Sequence, residues 1–494
     1  MRKLILTTAS VIALAGCVST PEPLTNQEKS EFSQFLQENL TADQEAPARS
    51  IDLYEAMARA LKYNLEHRVA MMETSLSERD FKLSRFDQLP QLVANAGYFD
   101  RSNDPGATSF SLLSGQESLE PSTSSEREIF TADLSASWNI LDFGLSYIRS
   151  KQLGDEVLIH EERRRRIINT IIEEVRSEYW RAASAERLIK ELDTIHEDAQ
   201  RAFNESRSLY SQRRTSPLSA LSYQRELNEI LTEAQTLRRE LILSKKRLAE
   251  LMNLPAGEKF TVSLPNRRSS PKNIKTTLGR AIEIALSSRP EVREAAYRVR
   301  MGDRDFKTAL LEALPGVEIY GALNYDSNDF LFNNSYTNWG ARASWNVIRV
   351  FETPARRRRA KANIALEKER ALATAMAVSS QVHVSMVRHQ SLLESLETSQ
   401  RSYQVQSDIL SQINTAFNAR SVSYQTLVRE RMNMIISEAR YDVAYADFQN
   451  AHATFFSSIG LDPFGADVNG TEDIATLSAS LKKLWEHREN GNSL

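Results

Sequence analysis

Apolar residues recur along this chain with two periods. Between 130 and 141 the period is two: Phe130, Ala132, Leu134, Ala136, Trp138 and Ile140 fall on one face, Thr131, Asp133, Ser135, Ser137 and Asn139 on the other. Such alternation predicts a strand with one apolar and one polar face. Trp339, Ala341, Ala343, Trp345 and Val347 repeat it against Asn338, Arg342, Ser344 and Asn346, and shorter alternation marks 91–99 and 317–325. Elsewhere the period is helical. Leu188, Leu192, Ile195, Ala199, Ala202, Ser206 and Leu209 form a heptad seam within 145–212, which holds no proline and a single glycine, Gly154. A helix of that length spans roughly 100 Å. Thr215-Ser216-Pro217 predicts a turn and the start of a return helix. The return seam runs through Leu227, Ile230, Ala234, Leu241 and Leu248, and its later counterpart through Tyr441, Ala444, Phe448, Ala451 and Phe455.

The whole pattern occurs twice. At an offset of 225, Leu53, Ala56, Ala60, Leu61, Glu66, Arg68, Ala70, Leu89 and Pro90 recur. At an offset of 207, Ala136-Ser137-Trp138-Asn139 recurs as Ala343-Ser344-Trp345-Asn346, with Arg213/Arg420, Ser216/Ser423 and Leu254/Leu461 in step. About 18 extra residues therefore lie between the two strands of the first half. Each repeat reads as a helix, two strands and a long helical hairpin. The first covers 51–263, with strands near 91–99 and 130–141 and helices 145–212 and 216–253. The second covers 274–463, with strands near 317–325 and 337–347 and helices 353–417 and 422–460. A tail, 464–494, follows. The fold class expected is mainly α with a membrane β part, and such a duplication points to a quasi-symmetric object more than to a catalytic cleft.

The first residues change the compartment. Met1-Arg2-Lys3 precedes an apolar stretch to Ala15 and then Leu14-Ala15-Gly16-Cys17, a secretory signal that resembles a bacterial lipobox. Residues 1–16 are read as the signal peptide and 17–50 as a lipidated tether. Cys17, the only cysteine, carries the lipid (palmitate among its chains), and Val18 favours sorting to the outer membrane. No later apolar run approaches the ~18–20 residues of a membrane helix. The 494 residues include only 16 glycines and 14 prolines, which suits long helices, and the net charge of −3 gives no support for a nucleic-acid partner.

Catalytic patterns are missing. The seven histidines are scattered without a zinc-binding spacing. No Walker loop, dinucleotide fingerprint or nucleophile elbow occurs. Glu161/Glu162 and Glu173/Glu174 read as charged helix surface, as does Arg163–Arg166; Arg356–Arg359 follows the last strand closely enough to meet anionic headgroups. The chain is expected to be no enzyme, with no metal and no cofactor beyond the lipid on Cys17.

The order helix, Leu-Pro, strand, loop, strand with Ser-Trp-Asn, long helix, turn, long helix, twice over, resembles the TolC family of outer-membrane efflux and secretion channels across about 51–463. Ser137-Trp138-Asn139-Ile140-Leu141-Asp142-Phe143-Gly144 resembles the family's strand-to-helix junction with its Asp-x-Gly turn; the second repeat has Arg349-Val350-Phe351 there instead. The resemblance implies a homotrimer whose strands close a 12-stranded β-barrel, continued by an α-helical barrel across the periplasm of a Gram-negative bacterium. It implies a passive exit duct of a tripartite efflux or type I secretion system, opened at its periplasmic end by a membrane-fusion adaptor and an inner-membrane transporter. Phe130, Leu134, Trp138, Trp339 and Trp345 would then face lipid, and Asp133, Asn139, Arg342 and Asn346 the lumen. Arg213, Arg214, Thr215, Ser216, Arg420, Ser421, Val422 and Ser423 would form the adaptor-docking tips. Tyr424 and Leu427 stand where relatives carry acidic gate residues and become the expected periplasmic constriction. The rival reading is a periplasmic coiled-coil structural lipoprotein without a barrel.

Overall fold

A computed structural model describes residues 22–42, 44–118, 120–212, 215–263, 274–461 and 472–489. The signal peptide, Cys17, Arg213 and Arg214 lie outside the described residues. The tether carries α1 (Asn26–Asn39), started by a Thr25–Glu28 capping box, and leads to β1 (Ser50–Ile51). The first repeat continues with α2 (Leu53–Tyr63), α3 (Leu65–Leu83), β2 (Gln91–Asp100), β3 (Glu128–Asn139), α4 (Ile140–Ser211) and α5 (Pro217–Leu251). After β4 (Thr261–Val262) come α6 (Leu278–Ser288), α7 (Pro290–Leu311), β5 (Gly316–Asp326), β6 (Ser335–Ser344), α8 (Val347–Asn418) and α9 (Tyr424–Ser458), then α10 (Ile474–Glu489). Duplication is visible in the lengths: α4 and α8 have 72 residues each, α5 and α9 have 35 each.

Both strand-to-helix junctions differ from expectation. Alternation predicts strand to 141 and helix from 145, yet β3 ends at Asn139 and α4 begins at Ile140. Asn139 is the cause: its Oδ1 accepts the amides of Leu141 (2.9 Å) and Asp142 (3.4 Å), capping the helix directly off the strand. No Asp-x-Gly turn forms. Asp142 sits in the first helical turn, where the dipole favours it, and Gly144 lies within α4. In the second repeat β6 stops at Ser344 and α8 starts at Val347, six residues ahead of the expected 353, with Pro354 inside it. The alternation of Ile140 and Val347 was thus the start of a helix, which two residues of pattern cannot reveal.

Helices α5 and α9 end by one device. Asn253 (φ 54°) and Gly460 (φ 73°), equivalent at the 207 offset, adopt the left-handed conformation after α5 and α9. In each case the next amide reaches back five residues, Leu254 to the Ala249 carbonyl and Leu461 to that of Phe456. These are Schellman caps, and Asn and Gly are the residue types that tolerate the position.

About 108 Å of helix in α4 sets the length of the molecule. Near the sheet it is flanked by α3 (Ser84 to Ser150, 3.0 Å) and α7 (Arg163 to Glu294, 3.0 Å; Asp155 to Arg300 and Arg304). Farther out α5 and α9 take those places, through Arg238–Asp193 (2.6 Å) and Arg187–Asp442 (2.7 Å). The result is a wall four helices wide: α3 then α5, α4, α7 then α9, and α8. Its core is a narrow row, Leu188, Leu192, Ile195, Ala199 and Ala202 of α4 against Leu227, Ile230 and Leu241 of α5 and Val428, Met432 and Ile436 of α9. At mid-height the parallel pair β1–β4, α2 and α10 pack on Ile168–Ala183 of α4. There Leu477, Leu481 and Trp485 of α10 are buried, and the Arg176 guanidinium lies 3.5 Å from the Trp485 ring centroid.

Candidate functional site

The four long strands make one antiparallel sheet in the order β2-β3-β5-β6. Its register places every apolar row on the same face. Ala94, Leu134, Leu323 and Thr337 lie side by side, as do Leu92, Ala136, Gly321 and Trp339. The other face brings polar groups together. Asn95 Nδ2 donates to Asp133 (2.9 Å), Asn324 to Asn338 (3.0 Å), and Arg342 pairs with Glu318 (2.5 Å). A one-residue slip would exchange the two faces, so the register follows from the alternation. Among the described residues none covers the apolar face: Trp339 is 87% exposed, Leu323 58%. The outer edges of β2 and β6 have no strand partner among the described residues.

Aromatic rings collect at both ends of the sheet. At the helix end Trp138 meets Phe143 edge-on at 5.5 Å, and Phe143 stacks with Tyr147 at 6.5 Å. At the loop end Phe130 meets Tyr325 at 6.4 Å, beside exposed Tyr98, and exposed Tyr336 lies at the same end on the polar face. Phe130, Leu134, Trp138 and Trp339 all occupy the apolar face. Trp345 does not: it lies beyond β6, its Nε1 donating to the Ala313 carbonyl at 3.1 Å, so the expectation of a strand position is corrected. Asp133 and Arg342 lie on the polar face, where Asn139 is also found but spent on the α4 cap; Asn346 precedes α8 without a side-chain cap bond.

The lateral margins of the helical wall carry apolar stripes. On α8 the buried row is Val378, Val382, Ser385, His389, Leu393 and Leu396. At about 100° per residue, Leu366, Leu372, Met376, Val384 and Val387 centre roughly 180° from it, and all five are exposed. On the opposite margin Val69, Met72, Leu76 and Leu83 of α3 stand away from that helix's buried side, as do Leu218, Leu221 and Leu243 of α5. These second stripes fall outside the seams that the heptad spacing predicts within each hairpin.

At the far tips, Ser216 and Ser423 cap α5 and α9, each accepting the amide three residues on at 3.1 Å (Ser219 and Thr426). Thr215 is half-buried. Arg420 stands in the left-handed region (φ 57°), between Phe417, whose carbonyl it bonds, and Ser421, whose amide reaches Ala416. Val422 completes the turn to Ser423. Tyr424 is exposed at the tip, its ring 6.2 Å from that of Phe417. Leu427 is only 6% exposed; four residues on from Ser423, whose carbonyl its amide bonds, it turns into the packing of α9 and is not free to line a passage.

Other chemistry is accounted for by packing. Two histidines read as scattered meet across α8 and α9, His389 Nε2 lying 3.3 Å from His452 Nδ1 between Phe448 and Phe456. Burial lowers the pKa of His389. Arg163–Arg166 is not a plain solvated face, because Arg163 binds Glu294 and Arg165 binds Glu162 (both 3.0 Å). Glu173 accepts Thr454 Oγ1 at 2.6 Å. Burial and then the carboxylates of Glu66, Glu173, Glu178 and Glu250 push Glu174 up. Among the described residues no three His, Cys, Asp or Glu are placed to hold a metal ion, and no helix is long and apolar enough to cross a membrane.

No protein-family model matches the chain, and no curated protein matches it. Solved structures do. The outer-membrane channel OprN superposes with a TM-score of 0.63 at 16% identity, covering 83% of this chain and 89% of that one. The Campylobacter jejuni CmeC outer membrane channel gives 0.63 at 14% identity over 94% and 97% of the two chains. The open state of the Neisseria gonorrhoeae MtrE outer membrane channel gives 0.61 at 16% identity over 83% and 88%. With its four-strand sheet, its paired 72-residue helices and these superpositions, the chain has the fold of the outer-membrane channels.

Proposed function

We propose that this chain is one third of a TolC-type outer-membrane exit duct. Three copies bring twelve strands, which close a barrel and satisfy the edges of β2 and β6; open sheet edges are not tolerated in lipid. The helical walls join margin to margin, α8 of one copy against α3 and α5 of the next, and continue the barrel as a tunnel through the periplasm. The apolar sheet face meets lipid and the Asn, Asp, Glu and Arg face lines water. A lipid on Cys17 anchors the chain in the same membrane.

The duct is passive and not an enzyme: its walls offer surface and polar lining, and energy comes from an inner-membrane transporter coupled through a membrane-fusion adaptor. The tips around Ser216, Arg420 and Ser423 receive that adaptor, Arg213 and Arg214 being part of the same sequence segment, and Tyr424 narrows the periplasmic end. Opening is a shift between two packings of the long helices at that end.

One observation supports this reading above the others. The unsatisfied surfaces of the chain form a single set: the outer face of the sheet, both its edges, and both margins of the wall beneath it. Native mass and negative-stain imaging of the detergent-extracted, full-length protein test it. Three chains in a particle well over 100 Å long, with a detergent belt at one end, are expected. A monomeric or dimeric rod without a belt would instead mean a periplasmic coiled-coil lipoprotein.

A further inference from the structure

Below the apolar face of the sheet the helices change character in a fixed order. On α8, Ile348 and Phe351 are strongly exposed, and four consecutive arginines, Arg356–Arg359, follow. Arg356 is held by Glu352 (2.9 Å) and by Glu312 at the end of α7 (3.1 Å). Arg357 and Arg359 are exposed and have no ion-pair partner among the described residues; Arg358 donates only to the Pro354 carbonyl (3.3 Å). The first repeat has the same order on α4, where Phe143 and Tyr147 are followed by Lys151, its Nζ 4.4 Å from the Tyr147 centroid. Lys151 and Arg358 are equivalent at the 207 offset.

We propose that Arg357–Arg359 bind the phosphates of anionic phospholipids in the inner leaflet of the outer membrane. The inference rests on the channel reading, which sets the apolar sheet face in lipid. The depth fits. Six to eight helical residues separate Phe351 from the arginines, about 9–12 Å, against a headgroup layer of roughly 5–8 Å per leaflet. An arginine stem lies along apolar surface and lifts its guanidinium into that layer, where the planar fork matches a phosphate. The angular spread fits too. Relative to the buried row of α8, Arg359 lies on one broad face of the wall and Arg357 and Arg358 toward the other. Whichever face is outward therefore presents an arginine to lipid.

The test is native mass spectrometry of the full-length protein, incubated with phosphatidylethanolamine and phosphatidylglycerol at about 3:1. The three-chain species is expected to keep phosphatidylglycerol in preference. The R357Q/R358Q/R359Q variant should lose that preference by about fivefold per arginine, on the order of 100-fold in all. The corresponding triple lysine variant should retain most of it, and Arg359→Gln alone gives a partial loss even if the triple variant folds poorly. Equal retention of both lipids by the wild type, or an unchanged preference in the glutamine variant, overturns the proposal while leaving the trimer standing. Displacement of the lipid by millimolar inorganic phosphate would make it a site for free phosphate and also overturn it. Absence of any three-chain species would instead overturn the channel reading beneath it.

Discussion

Arg420 holds a backbone conformation that its side chain disfavours. Its φ of 57° closes the Schellman turn after α8, a place where glycine relieves the contact between Cβ and the preceding carbonyl. Arg420→Gly is expected to stabilise the tip by about 1 kcal/mol, read as slower hydrogen exchange at the Ser421 amide, which bonds Ala416. Unchanged or faster exchange would mean that the guanidinium itself holds the turn. Farther up the same hairpin, His389 is 3% exposed and its pKa is lowered, by burial. The sign follows from linkage. An unfolded histidine titrates near 6.5 and the folded one lower, so the unfolded chain binds the extra proton first as pH falls. Stability is therefore lost as pH drops through about 6.5, and the loss levels off below the folded pKa. Melting temperatures at pH 7.5 and 5.5 should differ less in His389→Gln than in the wild type; equal differences would exonerate this residue.

Strands β3 and β5 are where the proposed membrane insertion is open to test. Leu134 and Ser135 are neighbours in sequence but occupy opposite faces at mid-sheet. In the proposed duct Leu134→Arg would put a guanidinium into lipid near the bilayer centre, at about 2–4 kcal/mol, whereas Ser135→Arg would put it into water at little cost. Urea titration of protein refolded into vesicles should show that asymmetry; equal costs would mean that the sheet does not span. The two faces were legible from sequence because a period of two admits one assignment. The α4 seam from Leu188 to Ser206 was equally legible, and every residue named in it except Leu209 is buried. Helix starts were not, since Ile140 and Val347 extend the alternation while already helical. Nor was the second face of α9. That helix lies between α8 and α4 and buries both the Tyr441–Phe448 row and the Val428–Ile436 row, while α5, equal in length, lies at a margin and buries one. Position in the wall, which local sequence does not encode, decides how many faces a helix needs.

The proposed assembly would give the chain's remaining apolar surface its explanation. A wall of paired helices already buries one row per contact, so a second exposed row on each marginal helix gains nothing within the single chain. Met376 shows the difference. It is 72% exposed on the outer stripe of α8, and an exposed substitution such as Met376→Asp changes the stability of an isolated chain within about 0.5 kcal/mol. In a closed trimer the same carboxylate is desolvated at each of three interfaces, at a cost of about 1–3 kcal/mol or more per interface. Native mass should therefore show Met376→Asp shifted from three chains toward one, with its helical circular dichroism intact. Met72→Asp, on the opposite margin, should do the same, because a rotational assembly uses both margins of every copy. If either variant stays fully trimeric, its stripe faces water or lipid, and the copies join through the sheet edges alone.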